Sequence, residues 1–140
     1  MMYWDASGIV PLLVQEPETA KRERLFRKDP AIATWWGSKI ECASALNRLH
    51  GDDVLTSAGL QQALGDLELL ADSWTEIQAT PAVQDRALRV LRVHPLRAAD
   101  SLQLAAALIT VDEKPRGFPF VCSDARLINA ATREGFDVRE

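Results

Sequence analysis

Residues 97–110, RAADSLQLAAALIT, are the stretch from which the fold of this chain can be worked out. The segment is almost entirely small or aliphatic, as a buried helix should be. One residue does not fit, because Asp100 lies near the start of the run, where a carboxylate would have to leave water. A buried lone carboxylate is costly, and it normally becomes neutral, pairs with a cation or binds a metal.

Composition and charge narrow the range of functions. The chain has 140 residues, of which 47% are hydrophobic and 26% charged. These values are ordinary for a soluble globular protein, and we expect residues 1–140 to form a single domain with its own core. The net charge of −4 gives no general attraction to nucleic acid. Any binding of RNA or DNA must therefore depend on local positive charge.

No segment predicts export or insertion into a membrane. Residues 1–8, MMYWDASG, lack the basic and apolar regions of a signal peptide. The longest uninterrupted apolar run, 104–109, is far too short to span a bilayer. Cys42 and Cys122 lie far apart in apolar stretches, which favours buried free thiols. We therefore expect a cytoplasmic protein.

Strand and helix signals alternate along the chain, which predicts an α/β fold. The predicted sheet is mainly parallel, with helices on both of its faces. Strands are predicted at 1–4, 31–36, 74–77, 120–122 and 136–138. Helices are predicted at 10–14, 18–28, from the turn at 37–38 to 49, from 56 or 57 to 72, and at 81–93, 97–111 and 125–133.

Several residues are predicted to set the ends of these helices. Pro11 is expected in the first turn of the first helix, after a turn at Ser7-Gly8. Ser38 and Glu41 have the spacing of a capping box. Thr80 followed by Pro81 is a strong start signal for a helix.

Four acids fall at equivalent junctions between strands and helices. Asp5 and Asp124 directly follow predicted strands, and Glu41 and Asp100 lie in the first turns of predicted helices. Sites in open α/β sheets lie beyond the carboxyl ends of the strands, so these acids should share one edge. Four carboxylates at one edge repel each other and stay ionised together only with cations between them.

All-oxygen ligation suits a hard ion such as Mg²⁺ or Mn²⁺. Such ions can turn water into a nucleophile and neutralise the charge of a phosphodiester. Each acid also has a simpler interpretation. Asp5 and Asp124 could cap the helices that follow them, Glu41 could complete its capping box, and Asp100 could stabilise a helix N-terminus. Capping and metal binding can coexist, and capping alone does not explain the repetition at one edge.

Four stretches carry a resemblance to a known family. They are YWDASGIVPLL (3–13), SKIECASALNRL (38–49), LRAADSLQLAAAL (96–108) and FVCSDARLINAATREGF (120–136). Together they resemble the motif blocks of PIN domains, in the order and spacing of the VapC-type toxins of toxin–antitoxin pairs. The resemblance covers nearly the whole chain. It implies a metal-dependent endoribonuclease that cleaves single-stranded or structured RNA, is inhibited by a small cognate antitoxin and usually forms a homodimer.

The resemblance also implies roles for individual residues. Asp5, Glu41, Asp100 and Asp124 would form the acidic catalytic site. Asp5, Asp100 and Asp124 would hold Mg²⁺ or Mn²⁺, and Glu41 would complete the shell or orient the attacking water. Ser7 and Ser123 would support them as polar neighbours. The chain departs from many relatives at Gln103, where histidine is common, and at Ser123, where threonine is common.

Cationic residues offer candidate contacts for RNA. Arg97 and Arg126 are the best candidates, because they lie beside Asp100 and Asp124. Arg86, Arg89 and Arg92 recur every three residues on one helix, where a solvated face is the simpler interpretation. The cluster at 21–28 could be solvated, contact RNA or face an antitoxin. His50 and His94 lie at helix ends without suitable partners, and we assign neither to catalysis.

Three other functions are compatible with parts of this pattern. A phosphatase of the haloacid-dehalogenase kind would need an aspartate at the position of Ser7. A receiver domain would need a lysine after a late strand, and Lys114 is poorly placed for that role. A non-catalytic PIN-like protein-interaction domain is the main alternative. Its signature would be a missing acid, and all four acids are present.

Overall fold

A five-stranded parallel sheet forms the centre of the protein in the computed structural model, which describes residues 1–140. The strands are β1 (Met2–Trp4), β2 (Ile32–Trp35), β3 (Thr75–Ile77), β4 (Pro119–Val121) and β5 (Asp137–Arg139). Their order in the sheet is β3-β2-β1-β4-β5, and every neighbouring pair is parallel.

Seven helices cover the two faces of this sheet. They are α1 (Ala6–Leu13), α2 (Thr19–Lys28), α3 (Ser38–Gly51), α4 (Ser57–Ala71), α5 (Pro81–Val93), α6 (Ala98–Thr110) and α7 (Ala125–Glu134). Successive side chains of a strand point to opposite faces. Tyr3 therefore packs in the core under α5, α6 and α7, and Trp4 packs in the core under α1, α3 and α4. The predicted α/β architecture is confirmed. No helix has the length and apolar character needed to cross a membrane.

Helix α1 begins earlier than the sequence predicted. The expected turn at Ser7-Gly8 is wrong, because the Asp5 carboxylate accepts hydrogen bonds from the backbone N–H groups of Ser7 and Gly8 and starts the helix at Ala6. Pro11 consequently lies inside the helix and not in its first turn. Asp5 itself is the N-cap, directly beyond the carboxyl end of β1.

The predicted capping box at the start of α3 is also wrong. Gly37 is the N-cap, and no side chain caps the helix. Ser38 is buried inside the helix, where its hydroxyl contacts Thr34 and Gln103. Glu41 is therefore not used for capping and is available to the site.

Helix α5 buries only part of its apolar surface. Val83, Ala87 and Val90 pack into the core, whereas Leu88 and Leu91 are exposed. The buried positions are spaced by four and three residues, which defines one face of the helix and leaves positions 88 and 91 outside it. The predicted start at Thr80-Pro81 is confirmed, since the Thr80 hydroxyl caps the helix.

Candidate active site

The four predicted acids come together at the carboxyl edge of the sheet. Asp5 follows β1, Glu41 lies in the first turn of α3, Asp100 in the first turn of α6, and Asp124 caps α7 after β4. All four line one open cleft of about 490 Å³, together with Ser7. Four separate elements thus contribute one carboxylate each to the same space.

Asp5 is the most buried of these acids, with 4% of its surface exposed. Its carboxylate accepts hydrogen bonds from the Ser7 hydroxyl at 2.8 Å and from the Gly8 N–H at 3.1 Å. Burial raises the pKa of Asp5 to about 6, although these hydrogen bonds favour the charged form and oppose the shift. Asp5 therefore caps α1 and presents a poorly solvated carboxylate to the cleft.

Glu41 is half-buried, and burial raises its pKa to about 7. A hydrogen bond from Gln103 lowers the pKa, and repulsion from Asp5 and Asp100 raises it further. A carboxyl group with a pKa near neutrality can accept a proton from water at physiological pH.

Gln103 fixes the surroundings of Glu41 from the buried side of α6. Its amide nitrogen lies 3.3 Å from the Glu41 carboxylate and 2.9 Å from the Ser38 hydroxyl oxygen. Its amide oxygen accepts a hydrogen bond of 2.7 Å from the Tyr3 hydroxyl. An ionised carboxylate only accepts hydrogen bonds, so the amide nitrogen of Gln103 is the group that faces ionised Glu41. The sequence indicated only that Gln103 replaces a common histidine, and it gave no sign of this network.

Asp100 and Asp124 line a second cleft, of about 450 Å³, with Arg97 and Arg126. Burial raises the pKa of Asp100, and repulsion from Asp124 adds to the rise, while Arg97 and Arg126 oppose it. Asp124 accepts a hydrogen bond of 3.0 Å from the Leu127 N–H and so caps α7. Both arginines are exposed beside the acids, where the sequence placed them.

Ser7 and Ser123 are joined across the sheet edge by a hydrogen bond. The Ser123 N–H donates to the Ser7 hydroxyl oxygen at 2.9 Å, and the Ser7 hydroxyl contacts Asp5. Arg22 extends this chain, since its guanidinium donates to the Ser123 hydroxyl at 2.7 Å and to the Cys122 carbonyl at 3.2 Å. Arg22 is fully buried. The sequence did not reveal it, because it lies within a run of cations that otherwise face solvent.

The donor atoms at this edge have the chemistry of a site for a hard ion. They are all carboxylate oxygens, which are the ligands that hard ions prefer. Burial raises the pKa values of Asp5 and Glu41, and a bound cation would oppose this shift by favouring their charged forms. No group of three or more His, Cys, Asp or Glu residues has the arrangement needed to hold one ion. Asp5, Asp100 and Asp124 therefore line one cleft but do not form a ready-made three-carboxylate site.

Comparison with known proteins places this site in context. No family model matches the chain. Ribonuclease VapC45 and Ribonuclease VapC49, from two strains of Mycobacterium tuberculosis, are each 29% identical to it over 135 residues. Each match covers 96% of this chain and 92% of the relative. The resemblance to VapC ribonucleases is confirmed.

The fold of this VapC-like chain is also found in solved structures. PAE2754 from Pyrobaculum aerophilum superposes with a TM-score of 0.67 at 18% identity, over 99% of this chain and 89% of that one. FitAcB from Neisseria gonorrhoeae superposes with a TM-score of 0.68 at 14% identity, over 100% and 97% of the two chains. The predicted PIN-like fold class is thereby confirmed.

Proposed function

We propose that this protein is a metal-dependent endoribonuclease toxin that cleaves single-stranded or structured RNA in the cytoplasm. The observation that carries the proposal is the single cleft lined by Asp5, Glu41, Asp100 and Asp124. Four carboxylates in one cleft repel each other and need cations to stay ionised together, and a polyanionic substrate needs cations beside it for the same reason. The names of the VapC relatives support ribonuclease activity.

Mg²⁺ or Mn²⁺ would be held by Asp5, Asp100 and Asp124, directly or through water. When bound, such an ion supplies a nucleophilic water and neutralises charge on the phosphodiester. Glu41, held by Gln103, would orient the attacking water and accept its proton. Ser7 keeps the Asp5 carboxylate in place through its hydroxyl.

Arg97 and Arg126 bind the RNA backbone beside the acids in this proposal. Both are exposed, and both line the cleft that contains Asp100 and Asp124. Contacts of arginine with phosphate position the strand without reading its sequence. The resemblance to VapC-type toxins is also the basis for proposing a small cognate antitoxin as partner and a homodimer as the working form.

Changing Asp100 to alanine tests the catalytic proposal. We expect RNA cleavage in Mn²⁺ to fall by roughly a hundredfold or more, as when a group that acts in the transition state is removed. The control is Asp85→Ala, which removes an exposed aspartate from α5. Cleavage is followed on gels, and Mn²⁺ binding is measured by calorimetry.

The proposal is wrong if Asp100→Ala cuts RNA as fast as the parent. A parent protein that neither cuts RNA nor binds Mn²⁺ would instead support the non-catalytic interaction domain, because such a module has no need for a metal.

A further inference from the structure

A third cleft lies between α2 and β5, and it concentrates positive charge in an otherwise acidic protein. We propose that this α2 cleft, defined by Lys21, Arg24, Lys28 and Arg139, binds the phosphates of the RNA strand next to the cleavage site. The inference rests on the proposed ribonuclease function and adds a second part to its substrate-binding surface. The cleft has a volume of about 470 Å³. Its lining includes one acidic residue, Glu140.

The three cations that α2 contributes to this cleft are free to bind an anion. Lys21, Arg24 and Lys28 are three and four residues apart, so they share one face of the helix. All three are exposed, and none forms an ion pair, whereas Arg139 pairs with Asp137. The chain as a whole has a net charge of −4, so this cluster is opposite in sign to the net charge of the protein.

The α2 cleft adjoins the acidic edge. Arg139 is paired with Val121 in the β4–β5 register, and Asp124 follows Val121 closely in the chain. Neighbouring strands lie about 5 Å apart, so the cleft is one strand beyond the end of β4. The buried Arg22 guanidinium joins the two places, since it donates both to the Arg139 carbonyl at 3.4 Å and to the Ser123 hydroxyl at 2.7 Å.

This arrangement favours RNA over an acidic protein segment as the ligand. An RNA strand with one phosphate at the acids must continue along the surface on either side of them. Four carboxylates repel that strand, and cations beside the site offset the repulsion. Lysine and arginine on an exposed helix bind phosphates as mobile charges, without requiring a fixed shape in the ligand.

The test compares two triple variants with the same change of charge. The first, Lys21→Ser with Arg24→Ser and Lys28→Ser, removes the cations that α2 contributes to the cleft. The matched control, Arg89→Ser with Arg92→Ser and Arg133→Ser, removes exposed arginines from α5 and α7, on the other face of the sheet. Both are made in an Asp5→Asn background, so that the RNA is not cut during measurement. Thermal melts check that both are folded.

Binding of a fluorescein-labelled single-stranded RNA of mixed sequence is measured by anisotropy over a series of salt concentrations. Three lost phosphate contacts should reduce the slope of log K against log salt by about two. We expect affinity at low salt to fall roughly tenfold or more in the α2 variant, and by less than about twofold in the control. Cleavage by the parent with native Asp5 is measured in parallel.

Equal affinities and slopes in the two triple variants would overturn the inference while leaving the ribonuclease proposal intact. The inference is also overturned if the α2 variant keeps its RNA affinity and loses binding only to a polyglutamate peptide, which would identify an acidic protein as the ligand. If the parent neither binds nor cuts RNA, the proposed function fails, and the inference fails with it.

Discussion

Asp5 caps helix α1 and lines the acidic cleft with the same carboxylate. Capping requires a hydrogen-bond acceptor at the helix N-terminus, and Asp5 meets this with its bonds to Ser7 and Gly8. The cleft requires an anion close to three other acids. Both roles require the carboxylate at this position. They conflict energetically, because burial at this position disfavours the charged form of Asp5.

This conflict predicts how stability depends on pH. The pKa of Asp5 is raised from 3.8 to about 6 in the folded protein, so between these pH values the folded state holds more protons than the unfolded state. The stability contributed by the protonated form is therefore fully present below about pH 4 and lost as pH rises through 6. The loss for this 4% exposed group is roughly 3 kcal/mol. Glu41 acts in the same direction, up to a pKa of about 7.

Asp5→Asn should remove the contribution of Asp5, since asparagine caps a helix without a charge. In urea denaturation with EDTA, we expect the variant to match or exceed the parent's free energy of unfolding at about pH 8, and to lose that advantage by about pH 4. Asp85→Asn, at an exposed position, is the control. A constant difference between Asp5→Asn and the parent across this pH range would show that the buried charge is not the cause.

Helices and strands could be predicted from the sequence wherever the preferences of the local residues matched the burial that those residues have in the fold. The alternation of strands and helices and the helix start at Thr80-Pro81 were both predictable from residue types and spacing. The acids could be placed at one edge because the carboxyl ends of parallel strands meet there. That placement depends on topology and needs no side-chain detail.

The missed features depend on contacts between residues distant in the chain. Ser38 has the sequence pattern of a helix cap, yet its side chain is buried and forms hydrogen bonds with Thr34 and with Gln103, which lies 65 residues away. Arg22 has the local signature of a surface cation, yet it reaches residues about a hundred positions later. No periodicity in the sequence records such pairings.

Helix α1 must approach β4 closely, and Gly8 is the residue that allows it. A Cβ atom at this position would lie 2.6 Å from the Val121 carbonyl oxygen, which is backbone and has little room to move. We expect Gly8→Ala to destabilise the protein by roughly 1–3 kcal/mol, as for other overpacking changes. It should also displace the Ser7–Ser123 hydrogen bond and reduce RNA cleavage.

Gly65→Ala is the matched control for this prediction. Gly65 is exposed inside α4, and a Cβ atom there would meet nothing within 4 Å. Alanine should therefore stabilise the protein by roughly 0.5–1 kcal/mol. Thermal denaturation measures both changes, and equal effects of the two substitutions would rule out close packing as the reason for glycine at position 8.

At the scale of the whole molecule, the sheet separates two apolar cores and joins them through its strands. One core contains the α5, α6 and α7 residues with Cys122, and the other contains the α1, α3 and α4 residues with Cys42. Tyr3 and Trp4 are neighbours in β1, yet they belong to different cores. A change that opens one layer therefore exposes the sheet on which the other layer packs, and we expect residues 1–140 to unfold as one cooperative domain.

The two cysteines allow this expectation to be measured, because each is buried in a different core. Both thiols are free and fully buried, and burial raises the pKa of each, so neither should react in the folded state. With a chromogenic disulfide reagent in moderate urea, Cys42 and Cys122 should become reactive at the same rate, and that rate should follow global unfolding. Cys42→Ala and Cys122→Ala assign each signal, and full denaturation gives the total. If one thiol reacts well before the other, the layer that contains it opens by itself, and the sheet does not couple the two cores.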